Sequence, residues 1–193
     1  MIKSKKFIAA LVISLAMAFP VMASKTTTDL KDTEFTSDQM YVLRYAYDFG
    51  NQFDKTGKPI DYSSHNKSDQ HKLGIIMAAI AWQESGAGIN TGINKPGHKA
   101  RGVFQNYLPT VKNVVAQEKL DYTEAELLAE LDSLDGSAAW SIRNLQYWLK
   151  YHKGDLNKSV ASYYGGTDYR KGTGYARDVF AKAKILESHL KKD

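Results

Sequence analysis

Glu84 is a lone carboxylate at the end of an apolar, alanine-rich run, Gly74-Ile-Ile-Met-Ala-Ala-Ile-Ala-Trp-Gln-Glu-Ser-Gly86. From Leu73 to Trp82 almost every residue is apolar, so a helix here would be buried on most sides. A carboxyl group in such a place has two reasons to keep its proton. Burial disfavours the charged form, and the negative end of the helix dipole disfavours it further. A proton held near neutral pH is what a general acid requires. The alternative is an exposed helix-terminal Glu that only aids solubility, and the stretch alone leaves both readings open. Trp82 reads as a core residue that also helps to desolvate the acid.

Other residues that could do chemistry are sparse around it. After Glu84 the next acid is Glu118, so the intervening stretch contains no carboxylate. Cleavage of a glycosidic bond usually places two carboxylates across one cleft. A second one would come from Asp54, Asp61 or Asp168; otherwise the substrate itself must assist. The histidines at 65, 71, 98, 152 and 189 form no HExxH-type pair, so no metal or other cofactor is expected. Lys95, His98, Lys99 and Arg101 cluster after Glu84, as a solvated run or as a seat for acidic groups. Trp140, Tyr147, Trp148 and Tyr151 recur near helical spacing, which reads as core packing, with a sugar-stacking platform as the alternative.

The elements that must position Glu84 follow from capping and breaker signals. Thr36-Ser37-Asp38 opens an amphipathic helix to about Phe53, and Lys55–Lys67 reads as a loop. The central helix runs from about Asp69 to Gln83, with Ser68 and Asp69 as its start and Gly86 as its stop. Six glycines or prolines between Gly86 and Gly102 exclude a helix there. Loops are expected, with a short hairpin around Arg101–Tyr107. Pro109 fits the first turn of a helix to about Lys119. Thr123-Glu124-Ala125-Glu126 is a capping box for a helix to Leu131. Asp135 or Ser137 starts the next, through Tyr151. Asp155 starts one that ends at Gly165-Gly166, and a last helix spans about Tyr175 to Leu190. The expected fold is mainly α, one helical domain with a small glycine-rich loop and hairpin lobe inserted after the helix that carries Glu84.

Composition bounds the rest. The 193 residues suffice for one domain with a real core, and a hydrophobic content of 43% excludes wholesale disorder. Residues 1–23 read as a secretory signal peptide: three lysines, an apolar run from Phe7 to Phe19, then Val21-Met22-Ala23 before cleavage. Residues 24–35 read as a flexible polar tail, and residues 36–193 as the folded domain. The expected location is periplasmic or secreted, with no stable membrane anchor after cleavage. Losing the three signal lysines lowers the formal charge from +5 to +2, too mild to point to nucleic acid. There is no cysteine, so the core must stabilise the fold without disulfides.

Three short stretches carry a further signal: Glu84-Ser85-Gly86, Gly102-Val103-Phe104-Gln105, and Ala161-Ser162-Tyr163-Tyr164-Gly165-Gly166. Their order and spacing resemble the soluble lytic transglycosylase family, which has a lysozyme-like fold. That family shows an E-S dipeptide closing a buried helix, then G-L-M-Q with a proline shortly after, then A-Y-N-A-G followed by a tyrosine. Here Pro109 follows the Gln and Tyr175 follows the glycine pair, so the resemblance covers roughly Leu73 to Lys182. It departs at Val103-Phe104, at Tyr164 in place of the Asn, and at Gly165 in place of the Ala. The stretch from Glu84 to Gln105 is also slightly long.

The resemblance implies cleavage of the β-1,4 bond between N-acetylmuramic acid and N-acetylglucosamine in peptidoglycan, by one carboxylate with help from the substrate N-acetyl group. It makes Glu84 the catalytic acid and then base. It places Ser85, Gln105, Tyr163, Tyr164 and Tyr175 at the substrate, with the Tyr163 hydroxyl near Glu84. Ser85 has a simple helix-end role as its alternative. A hydrolytic muramidase and an inactive wall-binding or secretion-assembly protein of the same fold are the rival expectations. The implied partners are peptidoglycan strands and, as a candidate, a secretion machine, with the chain itself a monomer.

Overall fold

The computed structural model describes residues 34–60, 73–93 and 95–190. The signal segment, nearly all of the tail, Asp61, and the expected helix start at Ser68 and Asp69 lie outside the described residues. Within them the protein is mainly helical, with one two-stranded sheet.

Helix α1, Ser37–Gly50, begins at a reciprocal cap: the Gln39 amide donates to the Thr36 hydroxyl, and the Thr36 amide donates to the Gln39 side chain. Helix α2, Gly74–Ser85, is the axis of the fold. Its residues Ile76 to Trp82 are all buried, as an unbroken apolar run requires. It stops at Gly86, whose left-handed backbone (φ 66°) turns the chain and lets its N–H bond back to the Trp82 carbonyl at 3.0 Å. Helix α1 packs on one side of α2 and the C-terminal helix α7, Thr173–Leu190, on another.

Between α2 and the next helix the chain makes turns and one hairpin, β1 (Ala100–Arg101) paired antiparallel with β2 (Asn106–Tyr107). The four-residue tip of the hairpin points inward. Phe104 is fully buried and Val103 nearly so, both within the main core. Ser137 holds the tip. Its hydroxyl accepts from the Phe104 amide at 3.2 Å, and its carbonyl accepts from the Asn106 side chain at 2.9 Å. Gly102 is required at this contact: a Cβ there would lie 2.0 Å from the Leu131 carbonyl oxygen, and its φ is +75°. Arg101 ties the lobe down from outside. Its guanidinium forks onto the Asp132 carboxylate, with Nε 2.9 Å from Oδ1, and a third nitrogen donates to the Ile93 carbonyl at 3.2 Å. It is therefore a structural clamp, unlike the exposed Lys95 and Lys99 beside it.

Helices α3 (Leu108–Glu118), α4 (Glu124–Asp132) and α5 (Leu134–Tyr151) follow. Val111, Leu127, Leu131 and Trp140 form a second, smaller core between them. The Thr123 capping box is present. Helix α5 starts earlier than expected: Ser133, one residue after α4 ends, is its cap and accepts from the Gly136 amide at 3.0 Å. Asp135 lies inside the first turn, and Ser137 is spent on the hairpin. Of the aromatic run on α5, Trp140 and Trp148 are buried, whereas Tyr147 and Tyr151 are exposed and stack with ring centres 6.4 Å apart. Helix α6, Leu156–Gly165, starts at the expected Asp155 cap. A 3-10 turn, Tyr169–Gly172, then leads into α7, a turn that periodicity did not signal.

Candidate functional site

Helix α2 carries Glu84, α7 touches it, and α6 stacks against that contact. Glu84 sits in the last turn of α2, half-buried, where the helix ends and the glycine-rich lobe begins. Tyr175, in the first turn of α7, donates its hydroxyl to Glu84 Oε1 at 2.6 Å. Burial pushes the Glu84 carboxyl up to about 7, and the hydroxyl of Tyr175 opposes that rise only in part, because it favours the charged form. Near neutral pH the group therefore exists both with and without its proton.

Tyr175 is held by its neighbours on α6. Its ring lies parallel to Tyr164, with centres 5.3 Å apart and planes 13° from parallel, and to Tyr163 at 6.2 Å and 8°. These rings form a stepped wall that reaches solvent at Tyr164, which is 40% exposed. Burial and the neighbouring charge of Glu84 keep both Tyr163 and Tyr175 protonated well past the ordinary phenol range.

The Tyr163 hydroxyl, expected near Glu84, lies close enough to feel its charge but spends its hydrogen bonds elsewhere. It lies 3.0 Å from the Ser141 hydroxyl on α5 and donates toward the Phe104 carbonyl at 3.4 Å. Tyr175 performs the orienting role instead, because α7 crosses the end of α2 directly. Tyr163 thus links the hairpin tip to α5, beside the acid. Tyr163→Phe is expected to cost about 1 kcal/mol in chemical denaturation, since it leaves the buried Ser141 hydroxyl with only the weak Met77 sulfur acceptor at 3.9 Å. It should leave the pH profile of any activity unchanged.

Ser85 also departs from a substrate-binding role. It is 1% exposed; its hydroxyl donates to the Ala81 carbonyl at 3.2 Å and accepts from the Gly88 amide at 2.9 Å. Those bonds close the helix end, the alternative role that its position allowed. Gln105, at the end of the hairpin tip, is half-buried. Its amide donates to the Gly102 carbonyl at 2.8 Å, and its oxygen lies 3.0 Å from His98 Nε2.

Two positioning contacts had no signal in the sequence. Gln39, besides capping α1, donates to the Gly86 carbonyl at 3.0 Å and so fixes the exit of α2 just beyond Glu84. Lys182 on α7 donates to the Gln83 side chain at 2.6 Å and lies over the Trp82 ring at 5.3 Å. Burial pulls its ammonium below the usual lysine range.

Two of the three candidate second carboxylates, Asp54 and Asp168, are engaged elsewhere; Asp61 lies outside the described residues. Asp54 accepts from the Thr56 and Lys58 amides in a turn, and Asp168 pairs with Arg170. Among the described residues no group of three His, Asp or Glu side chains is placed to hold a metal ion. A separate cavity of 280 Å³ lies between α6 and α7, lined by Lys158, Tyr169, Arg177 and Phe180 among others; Glu84 is not part of it. The arrangement at Glu84 is thus one carboxyl poised to give or take a proton, beside an aromatic wall whose Tyr163 reaches the hairpin tip at the Phe104 carbonyl.

Removing the Tyr175 hydroxyl should show the first of these properties directly. Tyr175→Phe is expected to raise the Glu84 pKa further, read as a carboxyl carbon titration by NMR. Any Glu84-dependent rate should fall about 10–100-fold, the value of a hydrogen bond to a charged group.

No family model matches the chain, and no solved structure matches it. The chain is similar to an uncharacterized 20.7 kDa protein from the vs-regB intergenic region of Enterobacteria phage T4, at 43% identity over 155 residues that cover 80% of this chain and 83% of that protein. At that identity and coverage, the chain belongs to the same protein family as this phage T4 protein.

Proposed function

We propose that the protein is a peptidoglycan lytic transglycosylase with a lysozyme-like fold and that Glu84 is its single catalytic carboxyl group. The observation that carries the reading is the state of Glu84: buried enough to be raised to about 7, and oriented by Tyr175. The three motifs around it lend further support.

In this reading the Glu84 proton passes to the glycosidic oxygen as the bond from that oxygen to the muramic C1 breaks. The N-acetyl oxygen of the same sugar stabilises the positive C1. The Glu84 carboxylate then takes the proton of the muramic 6-hydroxyl, and O6 bonds to C1. A 1,6-anhydro ring closes, and Glu84 regains its proton. One group serves as acid and then base, so a second carboxylate is unnecessary; substrate assistance is a recognised exception to the paired arrangement. The partly exposed Tyr164 offers aromatic surface to a sugar ring, and Gln105 offers an amide to its hydroxyl or N-acetyl groups. The wall lies outside the inner membrane, which fits a signal segment at residues 1–23.

Mass spectrometry of fragments released from purified sacculi tests the proposal. Anhydro-muramic ends are the expected product. Reducing ends would instead make the protein a hydrolytic muramidase. No fragments, with wall binding retained by both wild type and Glu84→Gln, would make it a binding protein.

A further inference from the structure

Gln105 occupies a backbone conformation that a side-chain-bearing residue rarely adopts, with φ 47°. Such a conformation persists only where surrounding contacts over-determine it, and such residues cluster at functional sites. Both its main-chain N–H and its side-chain amide donate to one acceptor, the Gly102 carbonyl, at 3.1 and 2.8 Å. That carbonyl decides which way the amide faces. With the amide reversed, two oxygens would oppose each other. The Gln105 oxygen is therefore directed at His98, 3.0 Å from Nε2, and His98 must be the donor.

The lobe is shaped to seat this imidazole. Gly92 lies against it: a Cβ there would sit 2.5 Å from His98 Cδ2. The Gly92 carbonyl is in turn held by the Arg101 clamp at 3.3 Å. His98 is thus wedged between a fixed backbone and the Gln105 side chain.

We infer that His98 is the positioning residue of Gln105, holding its amide so that one N–H remains directed outward for an acceptor oxygen on the sugar, and that it must carry its proton on Nε2 to do so. This rests on the glycan-cleaving reading above. It adds that the lobe recognises its ligand through a donor whose orientation is set seven residues upstream. A freely rotating Gln would present donor and acceptor alike; the locked one selects a carbonyl or hydroxyl oxygen.

The test uses the full chain with three variants, His98→Phe, His98→Gln and Gln105→Ala, assayed on purified sacculi. His98→Phe keeps a ring of similar size but donates nothing. It should raise KM about 5–20-fold, the loss of roughly one hydrogen bond, with kcat within about threefold. His98→Gln, which can place an N–H at similar reach, should recover most of that loss. Gln105→Ala should show no further loss when combined with His98→Phe. Unchanged KM in His98→Phe, or equal losses in His98→Phe and His98→Gln, would overturn the inference. Should the wild type release no fragments, the glycan-cleaving reading itself fails. Nitrogen-15 NMR of the wild type then still decides the positioning claim: a neutral His98 protonated on Nδ1, or a Gln105 side-chain amide that averages freely, would refute it.

Discussion

Glu84→Gln should abolish fragment release, by at least about 10²–10⁴-fold, the usual worth of a positioned acid–base group. The amide has the shape of the carboxyl and can still accept from Tyr175, so the fold should stand. It cannot hand a proton to a leaving oxygen or take one from an attacking hydroxyl. With a single carboxyl in both roles, no other carboxylate among the described residues is shown beside it to cover either step. Residual activity within a few-fold of wild type on sacculi would remove Glu84 from the chemistry. Far-UV circular dichroism of the variant separates this result from misfolding.

The second large effect is on pH, and it concerns stability as well as rate. In the unfolded chain Glu84 titrates near the ordinary glutamate value of 4.5, whereas in the folded protein burial pushes it up to about 7. Below pH 4.5 both states carry the proton. Between 4.5 and 7 the unfolded chain has released it and the folded protein still holds it, so stability falls as pH rises. Above 7 the loss is complete. The displacement corresponds to about 3 kcal/mol at 1.36 kcal/mol per unit. Glu84→Gln lacks this term. Its melting temperature should therefore exceed that of the wild type by a margin that grows between pH 4.5 and 7 and then levels off. Parallel melting curves for the two proteins across that window would show that Glu84 is not perturbed. The rate should follow the same proton. With Glu84 as the acid, kcat/KM falls about tenfold per pH unit on the alkaline side of about 7.

The parts of this site that were legible in the sequence are the local ones. A charge closing an apolar run marked Glu84, because a buried helix seldom ends on one without a reason. Thr123 with Glu126, Asp155 and Gly86 marked helix ends, because caps act across three or four residues. The hairpin around Gln105 followed from the glycine density before it. Contacts between distant segments left no such trace. The partner of Glu84 is 91 residues away: the resemblance placed the Tyr163 hydroxyl beside the acid, whereas the packing of α7 on α2 brings the Tyr175 hydroxyl to it. Gln39 reaches Gly86 across 47 residues. Ser85 looked like a site residue because it follows the acid; burial of the helix end turned its hydroxyl inward. The start of α5 was missed for a subtler reason. Ser133, Asp135 and Ser137 can all cap, and only the inward tip of the hairpin, which engages Ser137, shows which one is left to do so.

That inward tip has a consequence for access. Phe104 is lodged in the core at 0% exposure. Lifting the lobe would withdraw a phenyl ring into water, at about 3–5 kcal/mol by analogy with deleting one from a core. A state that costly is populated at well under roughly one molecule in a hundred. The hairpin tip therefore stays seated, so whatever reaches Glu84 does so without its movement. On the function proposed above, a glycan strand would meet a surface already in place, and admission, not closure, would set how fast it is gripped.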